Sequence, residues 1–412
     1  MAERKPPRPQ NVTANDEYLD ASLRHAVGLR RYGAGVTKRV RTLLEKADLE
    51  MAGRLRSRLA RFKGKPVDFT SKRWKLLLKD IREARAATLL EYKKLTRAEL
   101  RALAPLEAAK EAAILDSAIP IEVSFATVAA DQLSAIATSK PFQGRHLREW
   151  FATLAAGDQR RLQQAIQLGM TQGDSIDTIT RRVVGTRRNG YTDGILATTR
   201  RDAQAVVRTA VNHVSNAARG LVWDANSDII SAKIWTATLD GRTSHICQAR
   251  DGKGTATQGN SLPPSVEQLT PAGAVPPAHI NCRSVMVGFI NGVGLVGKRP
   301  TVTDTRTPRR REIDFRAEAK RTGKPIQTVR SQWADKNIGR VPSDTTYQQF
   351  LNRQDAGFQD NVLGPTKGKL FRKGGLEVDQ FVDRAGNELT LSQLASTRPE
   401  AFKRAGLDPS DF

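Results

Sequence analysis

Cysteine is nearly missing from this chain. Two thiols, Cys247 and Cys282, occur in 412 residues. That excludes a disulfide-stapled scaffold and points to a reducing compartment. Aromatic residues make up only 6%, and histidine occurs five times. No apolar run approaches the ~18 residues of a membrane-spanning helix, so a membrane partner is not expected. The opening MAERKPPRPQ carries no apolar h-region, and no secretory signal is expected. Enzyme signatures are also missing. There is no G-x-x-x-x-G-K-[ST] phosphate loop, no H-x-E, no carboxylate cluster for a divalent ion and no Ser/His/Asp set. No repeat of fixed period occurs.

Positive charge is what the chain has in excess: 67 Lys and Arg against 43 Asp and Glu, a net +24. A surface of this sign attracts polyanions and binds nucleic acid without sequence preference. The plain alternative is a solvated basic surface. With 39% apolar residues, the chain can bury a core, and its length suits two or three domains.

The periodicity predicts a predominantly α-helical, α+β protein with long basic N-terminal helices. After an extended Pro/Lys/Arg-rich arm over residues 1–12, a short amphipathic helix runs from Asp16 to Tyr32 and is broken by Gly33 and Gly35. A second helix, from Val36 to Phe62, ends at Gly64 and Pro66. A third begins near Ser71. Thr96 and Glu99 have capping-box spacing, which predicts a new helix start there. The outer faces of these helices hold Arg39, Arg54, Arg58, Arg61, Lys75 and Lys79, the candidate DNA contacts. Residues 119–125 read as an extended link. Helices follow over Ala126–Ala137, Gly144–Leu154 and Asp158–Leu168, with Asp174 or Ser175 capping the next one. Arg200–Ala225 reads as a core helix of small residues, and His213 in it as a packing or surface residue rather than a ligand. The expected units are a basic helical arm (1–118), a helical region (119–228), a small α+β motif domain with a short sheet (229–298), and a linker with a C-terminal extension (299–412).

Both cysteines and two histidines, His245 and His279, fall between Asp240 and Ser284. Apolar, β-prone runs flank this stretch at 229–238 and 285–290. The arrangement predicts two strands joined by a long loop with soft metal-ligand side chains at its feet. The part from Gly254 to Pro276, rich in Gly, Pro, Ser and Thr, is expected to be exposed and mobile. A glycine-rich exit follows over 292–298.

The wording of the stretch carries a resemblance. Trp235, Asp240, Arg242, Thr243, Cys247, Asp251, Gly252, Lys253, Pro276, Pro277, His279, Cys282 and Arg283 appear in the order seen in the phage head morphogenesis family, the Mu F-like minor head proteins. Arg208-Thr209 and Asn212 or Asn216 resemble the family's Arg-Thr and downstream Asn. Resemblance spans roughly residues 120–412 and is strongest at 230–290. Many members carry Cys where this chain has Ser244 and Ser284. The family implies a virion protein in the head interior or at the portal vertex, made in the host cytoplasm. It would act in head assembly, DNA packaging or ejection. Its implied partners are the portal protein, the major capsid or scaffolding protein, and packaged double-stranded DNA.

Three chemistries fit the motif. Zinc held by His245, Cys247, His279 and Cys282 would staple the loop's feet, with His245 and Cys247 on one side of a strand-like run. A disulfide between Cys247 and Cys282 could form after the virion leaves the cell. The thiols could instead be small buried hydrophobes beside a salt-bridged scaffold of Asp240, Arg242 and Asp251. A metal-dependent nuclease or toxin-like enzyme acting in the infected cell is the alternative to a structural role. The missing carboxylate cluster argues against it.

Overall fold

The computed structural model describes residues 14–62, 68–119, 125–290 and 298–412. The expected arm over 1–12, the helix stop at Gly64 and Pro66, residues 120–124 of the expected link and most of the glycine-rich exit lie outside the described residues. Helix dominates, and two small sheets complete an α+β architecture.

Two long helices, α1 (Ala14–Leu59) and α2 (Lys72–Ala118), form a hairpin. At 1.5 Å per residue each spans about 70 Å. Shorter helices follow: α3 (Ala130–Ser139), α4 (Leu147–Thr171), α5 (Ile176–Val184) and α6 (Leu196–Ala225). Ser175 caps α5 by accepting the Thr178 N–H. Core helix α6 lies against both hairpin helices, and His213 packs on Phe142 with ring centroids 5.1 Å apart.

Two expected helix breaks do not occur. Gly33 and Gly35 lie inside continuous α1. A glycine in a helix interior costs roughly 1 kcal/mol, which the long buried stripe from Leu19 through Val36 and Leu44 to Leu59 outweighs. Gly33 faces Val211 of α6, where a Cβ would make ordinary contact at 3.5 Å, so the packing does not demand glycine there. The capping box at Thr96 does not open a helix either, since α2 runs through it. Glu99 is held instead by α1, accepting from Tyr32 Oη at 2.9 Å and from Arg39 Nη2 at 2.6 Å. The two helices expected between Gly144 and Leu168 are likewise one helix, α4.

The motif stretch folds as β1 (Ile230–Thr236), β2 (Leu239–Asp240), α7 (His245–Arg250), β3 (Gly254–Ala256) and β4 (Val285–Ile290). Strand β1 is central in an antiparallel sheet of order β3-β1-β4. One face packs on α1 and α6 through Trp235 and Met286, with Gly288 against Tyr18 and Trp223. The other buries Ala232, Ile234, Val266 and Phe289. The long loop is therefore only partly exposed. Leu269 is fully buried, and its N–H donates to Gly254 O at 2.7 Å.

The chain continues as β5 (Lys298–Val302), α8 (Pro308–Thr322), α9 (Ile326–Asn337) and β6 (Ile338–Pro342). Strand β5 pairs parallel with β2 and antiparallel with β6, so the expected linker begins as part of a sheet with the motif. Helices α10 (Tyr347–Asn352), α11 (Ala356–Leu363), α12 (Pro365–Arg372), α13 (Leu391–Thr397) and α14 (Pro399–Arg404) form a small C-terminal bundle. Its core contains Tyr347, Phe350, Phe381 and Phe402, and takes in Leu239 of β2.

Charged side chains are buried along the helical body. Glu111 accepts from Arg219 Nε at 2.6 Å and from Trp223 Nε1 at 2.7 Å, and it also pairs with Tyr18. Further along the hairpin, Arg85 bridges Asp48 and Asp158 at 2.7 and 2.8 Å. Breaking such a pair strands a buried charge, so these networks fix how the helices register.

Candidate functional site

The feet of the motif loop meet where α7 faces the turn that leads into β4. Cys247 sits in the first turn of α7, with its side chain inward and 1% exposed. His279 and Cys282 come from the turn, which reverses at Asn281, a residue with φ of 61°. Helix α6 holds this turn from below. Asn281 N–H donates to Thr209 Oγ1 at 2.9 Å, and Arg208 Nε donates to Asn281 Oδ1 at 2.8 Å. Asn212 Nδ2 reaches the carbonyls of Cys282 and Ser284 at 2.8 and 3.1 Å. Asn216 Oδ1 accepts Met286 N–H at 2.7 Å. The Arg-Thr and both Asn candidates of α6 are thus positioning residues for the Cys/His turn. Sequence spacing alone had placed them only in a core helix.

Cys247 Sγ lies 3.4 Å from His279 Nε2 and 3.7 Å from Cys282 Sγ. His279 Nδ1 donates to Ile280 O at 2.9 Å, which leaves Nε2 as the lone-pair nitrogen facing the thiols. Ser244 Oγ is 2.8 Å from that same Nε2. Both cysteines are free thiols. Cys282 is the more acidic one, because a hydrogen bond from the Cys247 thiol, and one from His279 when its ring is protonated at both nitrogens, stabilise its thiolate. Cys247 is pushed up by its Cys282 neighbour and by burial. His279 is raised by its hydrogen bond to Cys282.

The donor set fits a zinc-type ion. Two thiols and an imidazole place their ligand atoms within 4.8 Å of one another. Structural zinc takes four ligands of this kind. The Ser244 hydroxyl is next to the three, and Ser284, 2% exposed, bonds to Cys247. Positions 244 and 284 therefore both sit against the cluster. Serine there replaces soft thiolate donors by weak hydroxyls.

His245 does not join the cluster. The residues after Ser244 are helical, not strand-like, and side chains two apart on a helix diverge by about 200°. His245 Nε2 turns toward Glu388 of the C-terminal unit, at 3.5 Å.

The surrounding scaffold is paired differently from the expected Asp240/Arg242/Asp251 set. Asp240 is gripped by Arg283 through two bonds, Nη1 to Oδ2 at 2.5 Å and Nη2 to Oδ1 at 2.7 Å. Arg242 gives Asp240 only its backbone N–H, at 3.0 Å. Burial and the neighbouring Arg283 lower the Arg242 guanidinium pKa. Asp251 is taken by Arg299 of β5, which the sequence reading did not select. Thr243, 9% exposed, lies within 3.5 Å of Arg283. Trp235 is fully buried beneath the Arg250 guanidinium, 5.2 Å from the ring centroid. Gly252 has φ of 81°, and a Cβ there would meet Thr346 at 3.0 Å. Lys253 ties the loop to Asp379 at 3.0 Å, and Tyr347 Oη donates to Asp240 O at 2.8 Å.

The candidate DNA contacts lie on α1, the turn after it and α2, outside this cluster, and several are already neutralised. Arg39 pairs with Glu99, Arg54 and Arg58 share Asp80 at 3.7 and 3.0 Å, and Lys79 is 3.9 Å from Glu83. Arg61 and Lys75 are exposed, with no ion-pair partner among the described residues.

No curated protein and no solved structure matches this chain. Residues 159–287 match the family model described as phage Mu protein F like protein. That segment runs from α4 to β4 and contains the whole thiol–imidazole cluster with the α6 residues that hold it. Over residues 159–287, the chain is similar to the phage Mu F-like family, which supports the head morphogenesis resemblance of the motif.

Proposed function

We propose that this protein is a minor head component of a tailed phage, a virion protein docked at the portal vertex or on the inner capsid wall. The observation that carries the head assignment is the Mu F-like match over residues 159–287. On this reading its partners are the portal protein, a capsid or scaffolding protein, and packaged duplex DNA. It acts in assembly, packaging or ejection. The net +24 supports contact with DNA by neutralising phosphates regardless of sequence. No described helix is long and apolar enough to cross a membrane.

The role is structural rather than catalytic. Cys247 and Cys282 are buried, and the ion pairs around them join elements of the fold. Zinc at Cys247, His279 and Cys282 would pin α7 to the turn before β4 and so brace the docking unit.

Protein composition of purified particles tests the docking role. Arg283→Ala, which strands Asp240, is expected to yield heads lacking this protein and defective in DNA filling. If the variant folds and still enters heads at wild-type level, the motif stretch is not the docking element.

A further inference from the structure

We propose that the groove between α1 and α6 is a phosphate-binding site that seats the backbone of duplex DNA. The proposal rests on the DNA contact just put forward and gives it an address that the charged outer faces do not.

The groove is lined by Arg30, Lys38 and Arg41 of α1 and by Arg208 of α6, with Gln204 and Thr37 between them. Its volume is about 260 Å³, and no carboxylate lines it among the described residues. The helices run antiparallel here, as Gly33 against Val211 and Asp48 against Arg200 show. Arg30 and Arg208 both reach the motif segment, Arg30 at Arg283 O and Arg208 at Asn281, while Lys38 and Arg41 continue along α1. Arg30 to Arg41 covers about 17 Å of helix. Arg41 keeps only a 3.7 Å contact with Glu45.

The two guanidiniums nearest the motif hydrogen-bond to neutral groups. Arg30 donates to Thr238 Oγ1 at 2.6 Å and to Arg283 O at 3.2 Å, and Arg208 donates to Asn281 Oδ1. Both residues are exposed, yet protein atoms crowd their guanidiniums. That desolvation, with Arg283 and Arg242 nearby, pushes Arg30 down to about 10, and burial lowers Arg208. Asp240, already bonded to Arg283, offsets this crowding of like charges only in part, and an anion relieves the rest. Phosphates suit the site because guanidinium forks aimed by neutral acceptors match phosphate oxygens.

The groove also touches the family motif. Arg208 and Asn281 are shared with the turn that carries His279 and Cys282. Phosphate seated on Arg30 and Arg208 would sit beside the unit proposed to dock in the head.

Binding of a mixed-sequence duplex to the full chain, followed by fluorescence anisotropy across a salt series, tests this. Lys38→Gln/Arg41→Gln removes two exposed cations without touching the core, and Arg208→Gln removes a third. The double variant is expected to weaken binding about tenfold or more for unrelated sequences alike, and to reduce the salt slope by about 2. Lys75→Gln/Lys79→Gln, on the outer face of α2, is the control and should stay within about threefold of wild type. If the groove variants bind like wild type, or no better distinguished than the control, the site is wrong while DNA contact stands. Absence of salt-sensitive binding by the wild-type chain overturns the DNA reading and this site together. If groove variants keep DNA affinity but fail to enter heads, the groove serves an acidic protein surface, and the duplex assignment is overturned.

Discussion

Arg299 holds Asp251 in a two-pronged ion pair, with Nη2 to Oδ1 at 2.9 Å and Nη1 to Oδ2 at 3.0 Å, between two side chains that are 5% and 0% exposed. Arg299 belongs to β5, in the second sheet, and Asp251 ends α7 in the motif. The pair also anchors backbone: Asp251 accepts Ala237 N–H at 2.7 Å, and Arg299 donates to Thr345 O at 2.8 Å. Motif, second sheet and C-terminal bundle therefore meet at one buried bond.

Replacing Arg299 by Ala leaves Asp251 buried without its partner. A loss of about 3–5 kcal/mol is expected, read as a lower midpoint in chemical denaturation. Arg299→Lys should recover only part of it, because an ammonium cannot form both bonds. Wild-type stability in Arg299→Ala would show that the pair does not join these units.

The thiol–imidazole cluster predicts zinc in a one-to-one ratio in protein purified under reducing conditions. Cys282→Ala and His279→Ala should lose the metal, whereas His245→Ala should keep it. Ser244→Cys is expected to tighten binding by restoring a soft donor beside His279. Elemental analysis, with cobalt substitution reporting thiolate coordination in the visible spectrum, measures all four. Metal-free wild-type protein that binds no cobalt would remove the site.

His213 gives stability a pH dependence with a defined sign. Burial, with Lys140 nearby, lowers its pKa to about 4, against roughly 6.5 for an unperturbed imidazole. The folded state keeps the ring neutral while the unfolded chain takes up a proton. Stability from this group is thus complete above about 6.5 and lost as pH falls toward 4, by roughly 3 kcal/mol in all. Subtracting the pH profile of His213→Phe from that of wild type should isolate this component. A flat difference between pH 7 and 4 would contradict it.

Leu269 separates the packed part of the motif loop from its exposed part. It is fully buried in the main core, so Leu269→Ala is expected to cost about 2–5 kcal/mol. Gln258→Ala, at an exposed position, should lie within about 0.5 kcal/mol of wild type. Thermal or chemical melts of the two variants check this. Equal stability would mean that the whole loop is dispensable.

Much of this protein is legible in its residues without coordinates. The helical stripes of α1 and α2 follow from apolar spacing, the Ser175 cap from its hydroxyl, and strands β1 and β4 from β-branched runs, because each depends on near neighbours along the chain. Cys247, His279 and Cys282 were also readable as a group, since few other soft donors exist. The remainder depended on partners distant in sequence. Gly33 and Gly35 look like helix breakers until α6 supplies the packing that keeps α1 whole. Thr96 and Glu99 look like a cap until Tyr32 and Arg39 claim the carboxylate. His245 looked like a ligand until a helical turn swung it toward Glu388. Asp251 found Arg299, 48 positions away in the numbering, and Arg30 and Arg208, 178 apart, came to line one groove. Local pattern specifies which faces are apolar or charged. Which charge meets which is decided only when buried groups must each find a partner in the folded chain.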